Sequence, residues 1–129
     1  MNSATIFLIG RIVFAIYWLM AAYSHLFGSK NLIGYAQFKG VKHAKVAVIG
    51  TGILLLIGGV SMLTGDWPNI GIAALVVFLA GTSYKMHAYW KETDPTKKMT
   101  ERVSFMKNVA LAAALVMMVA IATPWPFRL

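Results

Sequence analysis

Arg11, His25, Lys85, His87 and Lys107 stand inside long apolar stretches, and no Asp or Glu lies within those stretches. An ionisable side chain at the centre of a bilayer costs roughly 2.5–3.5 kcal/mol on insertion scales, so each of these residues needs a reason to be there. Arg11, Trp18 and His25 recur at intervals of seven and mark one stripe of a helix. Ser83, His87 and Trp90, at i, i+4 and i+7, mark a stripe on another. His25, His87, Lys107 and Asn108 fall toward the same end of their helices and can converge on one pocket, with Tyr35 and Phe38 as its roof. Such a pocket is rich in donors, lined by aromatic rings and without acid. It suits an electron-rich oxygen: a quinone carbonyl, an oxyanion or a lipid phosphate. Lys85 lies five residues before Trp90, about 7.5 Å along a helix, and can snorkel to the headgroups. Asn108 needs hydrogen-bond partners if it is inside a span. For Arg11 the one carboxylate within reach is Asp66, provided the first two spans are adjacent. The ligand-binding residues expected are therefore His87, Trp90, Lys107, Asn108, His25, Tyr35 and Arg11.

Other chemistries are excluded or disfavoured. There is no Cys, which removes disulfides, thiol redox chemistry, iron–sulfur clusters and Cys-based zinc sites. Ser and Thr are scattered, and no acid is in view to orient a His, so nucleophilic catalysis is not expected. Two His at similar depth can ligate a b-type haem, but no other haem signal accompanies them. The eight Met read as core filler rather than a metal track, and no metal site is expected.

These residues must be held by helices in a membrane. The chain has 129 residues, 59% of them hydrophobic and 12% charged, with a mean hydropathy of +0.69. A soluble domain carries about 25% charged residues. Four apolar stretches, 5–27, 44–64, 68–90 and 104–125, are each near the roughly 20 residues needed to cross a bilayer as a helix. None alternates polar and apolar residues as a barrel strand does. The fold class expected is all-α: a polytopic four-transmembrane-helix bundle, one domain over 1–129. A short interfacial helix over 29–39, capped by Ser29 and ended by Gly40, lies between the first two spans. The first stretch has no charge before Arg11 and outruns a signal h-region, so it is expected to be retained. Small residues at Ala47 and Thr51, Gly58 and Gly59, and Ala110 and Ala114 suggest close approach of the second and fourth spans.

The net charge of +8 is distributed unevenly. Lys30, Lys39, Lys42, Lys45, Lys91, Lys97, Lys98 and Arg102 flank one side of the spans, and Arg128 alone flanks the other. The positive-inside rule makes the long basic loops cytoplasmic and both termini external, in a cell inner membrane. Basic residues that flank apolar runs do not make a nucleic-acid surface, and nucleic acid is excluded as a partner. The segment 91–101 reads as a solvated turn.

Several motifs together resemble a known family. Gly10-Arg11, the aromatic run to Gly28-Ser29-Lys30, the corner Phe38-Lys39-Gly40-Val41, and Gly58-Gly59 followed by Gly65 are similar to the DoxX family of small four-helix membrane proteins. His87-Ala88-Tyr89-Trp90 and Phe105-Met106-Lys107-Asn108-Val109-Ala110-Leu111 are the most specific part. The resemblance spans about residues 5 to 120. It implies a four-helix bundle and, from the name-giving members, a subunit of a thiosulfate:quinone oxidoreductase. Other relatives are partners in membrane oxidoreductase complexes, or chaperones and cargo receptors. One departure is Leu55, where many members carry an acid three positions before the Gly pair.

Two functions compete on this basis. In the first, the chain is a quinone-interacting accessory subunit of a membrane redox system: His87, Lys107 and Asn108 hold the carbonyls, and Trp90 or Tyr35 stacks on the ring. Because the chain brings no electron carrier, catalysis then needs a partner protein, and homo-oligomerisation is a further possibility. In the second, it is a non-catalytic scaffold whose basic loops, through Lys97, Lys98 and Arg102, recruit a soluble partner or anionic lipid. A solute carrier is disfavoured, since one such chain neither lines a pore nor shows an inverted repeat.

Overall fold

A computed structural model describes the whole chain, Met1–Leu129, as five α-helices and one 3-10 turn, with no strand. The helices are α1 (Ser3–Leu26), α2 (Ser29–Phe38), α3 (Ala44–Thr64), α4 (Pro68–Met86) and α5 (Pro95–Met118), and the 3-10 turn covers Tyr89–Lys91. Helix α1 begins where the Asn2 side chain accepts the Thr5 N–H at 2.9 Å, a side-chain N-cap. Its buried residues are Arg11, Ala15, Trp18 and Ala22, one stripe at helical spacing. Ile9, Val13, Ile16, Met20 and Tyr23 point outward. This arrangement, a guanidinium inside and aliphatic side chains outside, is stable only where the surroundings are apolar.

Three segments are long and apolar enough to cross a membrane: Ser3–Leu26, Ala44–Thr64 and Pro68–Lys91. Helix α5 has 24 residues, but Lys97, Lys98, Glu101 and Arg102 crowd its first half and Lys107 follows. Packing follows the chain: α1 lies on α3, α3 on α4, and α4 on α5, while α2 rests against α3. The second and fourth spans are therefore not the close pair that their small residues suggest. Gly58 and Gly59 instead admit α4 and α1: a Cβ at Gly58 would run into the Leu75 side chain, and one at Gly59 would come within 2.8 Å of Leu19. The core they enclose centres on Trp18, Leu55, Met62, Leu75 and Leu115.

Element boundaries differ from expectation in three places. Ser29 is the first residue of α2 rather than its cap; Gly28 precedes it and no side chain caps the helix. Gly40, at φ +78°, ends the α2 segment as expected. Helix α4 stops at Met86, and His87 takes φ −118° and ψ 41°, so Ser83, His87 and Trp90 do not share a helix face. Neither Pro nor Gly stands at the break. Tertiary contacts replace the lost turn: Tyr89 and Trp90 meet the Phe105 ring of α5 edge-on at 5.4 and 5.7 Å. Finally, α5 occupies Pro95–Met118 rather than 104–125. Asp94 caps it through the Thr96 N–H at 3.1 Å and Pro95 takes its first turn, so the end of the 91–101 segment is helix, not solvated turn. After Met118 the chain turns back across the bundle end, its buried Trp125 edge-on to Phe7 at 5.2 Å.

Candidate functional site: a cavity beside a half-buried carboxylate

Early placement of α5 brings Glu101 to the end of the bundle where α2 and the break after α4 meet. Glu101, Asn108 and Leu115 are seven apart and lie on the inward stripe of α5. One oxygen of Glu101 accepts a hydrogen bond from His87 Nδ1 at 2.7 Å, and the other accepts one from Lys39 Nζ at 3.1 Å. The Tyr35 hydroxyl lies 3.5 Å from that second oxygen, and Glu92 stands 3.7 Å from Lys39. The Glu101 side chain is only 13% exposed. Burial opposes its charge, but the hydrogen bonds and charges of His87 and Lys39 more than offset that, so the carboxyl titrates below its ordinary range. Burial likewise opposes the charge on Lys39. The hydrogen bond that Lys39 donates to Glu101, then the charges of Tyr35, Glu101 and Glu92, reverse the effect and raise the ammonium above its ordinary value.

Beside this cluster is a cavity of about 360 Å³. Its apolar walls include Leu32, Val41, Val48, Phe78 and Met86, and its polar groups are His25, Tyr35, Thr51, Thr82, Lys85 and His87. The size falls in the range of ligand pockets, about 300–1,000 Å³, and the mix of apolar wall and few polar groups is typical of them. Helix α1 supplies His25, whose Nδ1 donates to the Ala21 carbonyl at 2.9 Å and whose ring meets Phe78 edge-on at 5.7 Å.

The structure thus gathers three of the expected site residues, His25, Tyr35 and His87, on one cavity and separates the other four. Trp90 is 46% exposed and belongs to an aromatic group with Tyr84, Tyr89 and Phe105 outside the cavity. Lys107 is exposed on α5, because Asn108, not Lys107, occupies the inward stripe. Asn108 is buried but does not line the cavity. Phe38 is 79% exposed and roofs nothing. No acid lines the pocket itself, but Glu101 stands behind two of its lining residues, His87 and Tyr35. Lys39, Thr51, Phe78 and Glu101 are the participants that sequence reasoning missed. Asp94-Pro95 carried the signal for Glu101: an N-cap followed by Pro at the first helical position starts a helix early enough to put Glu101 on the Asn108 stripe.

Arg11 lies at the opposite end and is 2% exposed. Its Nη1 donates to the Pro126 carbonyl at 2.9 Å; its Nη2 donates to the Phe127 carbonyl at 2.7 Å and, more weakly, to that of Leu63 at 3.4 Å. It is not paired with Asp66. That carboxylate accepts from Arg128 Nε at 3.1 Å instead, because the returning C-terminal segment lies between the two. Leu129 N–H donates to the Thr64 carbonyl at 2.9 Å, which fastens the last residue to the end of α3. Arg11 is a clasp for the C-terminus and no part of the cavity.

The family model for DoxX matches residues 6–88 of the chain. The chain belongs to the DoxX family. In this DoxX protein the matched part runs from α1 to Ala88 and contains His25, Tyr35, Lys39, Arg11 and His87. Glu101 and the Phe105–Leu111 motif lie beyond it. No curated protein and no solved structure gives a significant match to the chain. Leu55, where the resemblance leads one to look for an acid, is fully buried in the core, and the carboxylate that meets His87 and Lys39 comes from α5.

Proposed function

We propose that this DoxX protein is an accessory subunit of a membrane redox system that holds a quinone-class ring compound in the cavity between α1, α2, α3 and α4. The observation that carries this reading is two imidazoles, His25 and His87, on one apolar cavity that also has Lys85 among its lining. Lys85 marks headgroup depth, where a lipid-soluble ring with polar oxygens comes to rest. Tyr35 and Phe78 supply aromatic surface for the ring. In this reading α5 is the fourth crossing, with its charged first turns at the interface and α2 lying along it. The basic loops face the cytoplasm of an inner membrane, and both termini face outward. The electron carrier belongs to a partner protein.

Native mass spectrometry of protein extracted gently from its own membrane, with organic extraction of the same sample, tests the assignment. A stoichiometric quinone-class compound, recovered as the quinone or its hydroquinone, is expected. The double variant His25→Phe, His87→Phe is expected to lose at least nine-tenths of it while keeping its helicity and elution volume. Unchanged quinone content in that variant refutes the assignment.

A second reading has its own observation. Lys97, Lys98 and Arg102 are exposed at the start of α5 and pair with no carboxylate. They form a free basic patch suited to an acidic protein surface or anionic lipid. On the scaffold reading, replacing all three with Glu abolishes a salt-sensitive co-purifying partner. A partner that stays bound after the charge reversal excludes that patch as its dock.

A further inference from the structure

The cavity's polar groups point their protons away from it, and this bears on the oxidation state of the ligand proposed above. His25 Nδ1 faces the Ala21 carbonyl at 2.9 Å, and a carbonyl only accepts, so that nitrogen carries the proton and neutral His25 presents Nε2 as a bare acceptor. His87 Nδ1 faces the Glu101 carboxylate at 2.7 Å, which places a proton on Nδ1, so that the ring, when neutral, also presents Nε2 as an acceptor. No protein group pairs with either Nε2. Thr51, on the cavity wall, directs its hydroxyl proton back to its own helix, with the Ala47 and Val48 carbonyls at 2.8 and 2.9 Å. Only its oxygen lone pairs remain for a ligand. The Tyr35 hydroxyl has the Glu101 carboxylate as its neighbour at 3.5 Å. The exceptions are Thr82, whose hydroxyl can serve either way, and the Lys85 ammonium on an exposed side chain.

We infer that the cavity prefers the hydroxyl-bearing form of its ring ligand, a hydroquinone or phenol, over the carbonyl-bearing quinone. The inference rests on the quinone-class reading above and adds a polarity to it. A hydroquinone O–H donates to an imidazole Nε2 or to the Thr51 oxygen. A quinone carbonyl at the same place sets acceptor against acceptor and leaves both unpaired. Glu101 acts as a positioning residue, because its carboxylate holds the tautomer of His87. When the imidazoles are protonated, Nε2 becomes a donor and the preference weakens. The charged or titratable groups around the two rings are Glu101, Lys39, Glu92, Tyr35 and Lys85, and of these Glu101 alone touches an imidazole.

The test is anaerobic titration of the full chain, purified free of quinone in nanodiscs, with decyl-hydroquinone and with decyl-benzoquinone. A redox-inert pair, para-octylphenol and its methyl ether, is titrated alongside. In alkaline buffer, with both imidazoles neutral, the hydroxyl form is expected to bind about tenfold more tightly or better in each pair, the effect of one hydrogen bond. The ratio is expected to shrink as the pH is lowered and the rings gain a second proton. His87→Phe and the gentler Glu101→Gln, whose amide accepts either tautomer, are each expected to bring the ratio toward one, the latter without loss of total affinity. Equal or tighter binding of the quinone and the ether overturns the inference and leaves the quinone-class reading standing. Binding of none of the four overturns both. A ratio unaffected by pH, His87→Phe and Glu101→Gln together also overturns it.

Discussion

Replacing Arg11 with Met is expected to cost about 2–4 kcal/mol of stability, the largest loss from any single substitution outside the apolar core. The guanidinium is 2% exposed and satisfies carbonyls on two separate parts of the chain, Leu63 at the end of α3 and Pro126 and Phe127 in the C-terminal segment. An aliphatic replacement fills much the same volume but leaves those part-buried acceptors without their donor. Arg11→Lys is expected to lose part of the effect, because one ammonium lacks the planar fork that reaches Pro126 and Phe127 together. The same contacts imply coupling. Deleting Pro124–Leu129 and replacing Arg11 should together cost clearly less than the sum of the two single losses, since each removes the other's partner. Thermal unfolding in one detergent measures all four species. An unchanged midpoint for Arg11→Met, or strict additivity in the cycle, refutes the clasp.

Glu101→Ala is expected to destabilise the protein by about 1–3 kcal/mol and to loosen α2, because it removes the partner of both Lys39 and His87. The pH dependence follows from the two shifts. Glu101 titrates lower when folded than its ordinary 4.5, so its contribution is present above that value and is lost as pH falls through the folded one. Lys39 titrates higher than its ordinary 10.5, so its contribution is complete below that value and is lost as pH rises through the folded one. Between these limits the cluster is intact. The stability gap between wild type and Glu101→Gln should therefore be widest near neutrality and close progressively below about pH 4.5. Chemical unfolding of both at pH 7 and in acid reads this directly. A gap that stays constant in acid shows that the carboxylate charge contributes nothing.

Residue chemistry shows why the fold was legible and the site only partly so. Long apolar runs cannot sit in water, and a hydrogen-bonded helix is the one open form of backbone that lipid tolerates; α1, α3 and α4 follow from that alone. The end of α2 was equally legible, since Gly40 takes the positive φ that glycine favours. Arg11 and His87 stood out in the sequence, because a charge in an apolar run has few ways to persist, but Arg11 is held by backbone carbonyls away from the cavity. Their partners were not legible. The C-terminal segment reaches Arg11 across more than a hundred residues of sequence, and backbone carbonyls leave no mark on residue type. The break after Met86 has no Pro or Gly to announce it and exists because Tyr89, Trp90 and His87 find better contacts on α5 than along α4.

By itself the sequence determined an all-helical membrane protein with its basic residues gathered at one end, because hydropathy and charge are local properties that act on each segment separately. Only the tertiary structure decided which ionisable groups meet. It moved Lys107, Asn108 and Trp90 off the cavity and brought Lys39 and Glu101 to its edge. It also set Nδ1 of His25 against the Ala21 carbonyl and Nδ1 of His87 against the Glu101 carboxylate. The physical reason is that a hydrogen bond fixes the direction of a proton only when its partner is in place, and for His87 that partner is Glu101, fourteen residues away along the chain on a different helix.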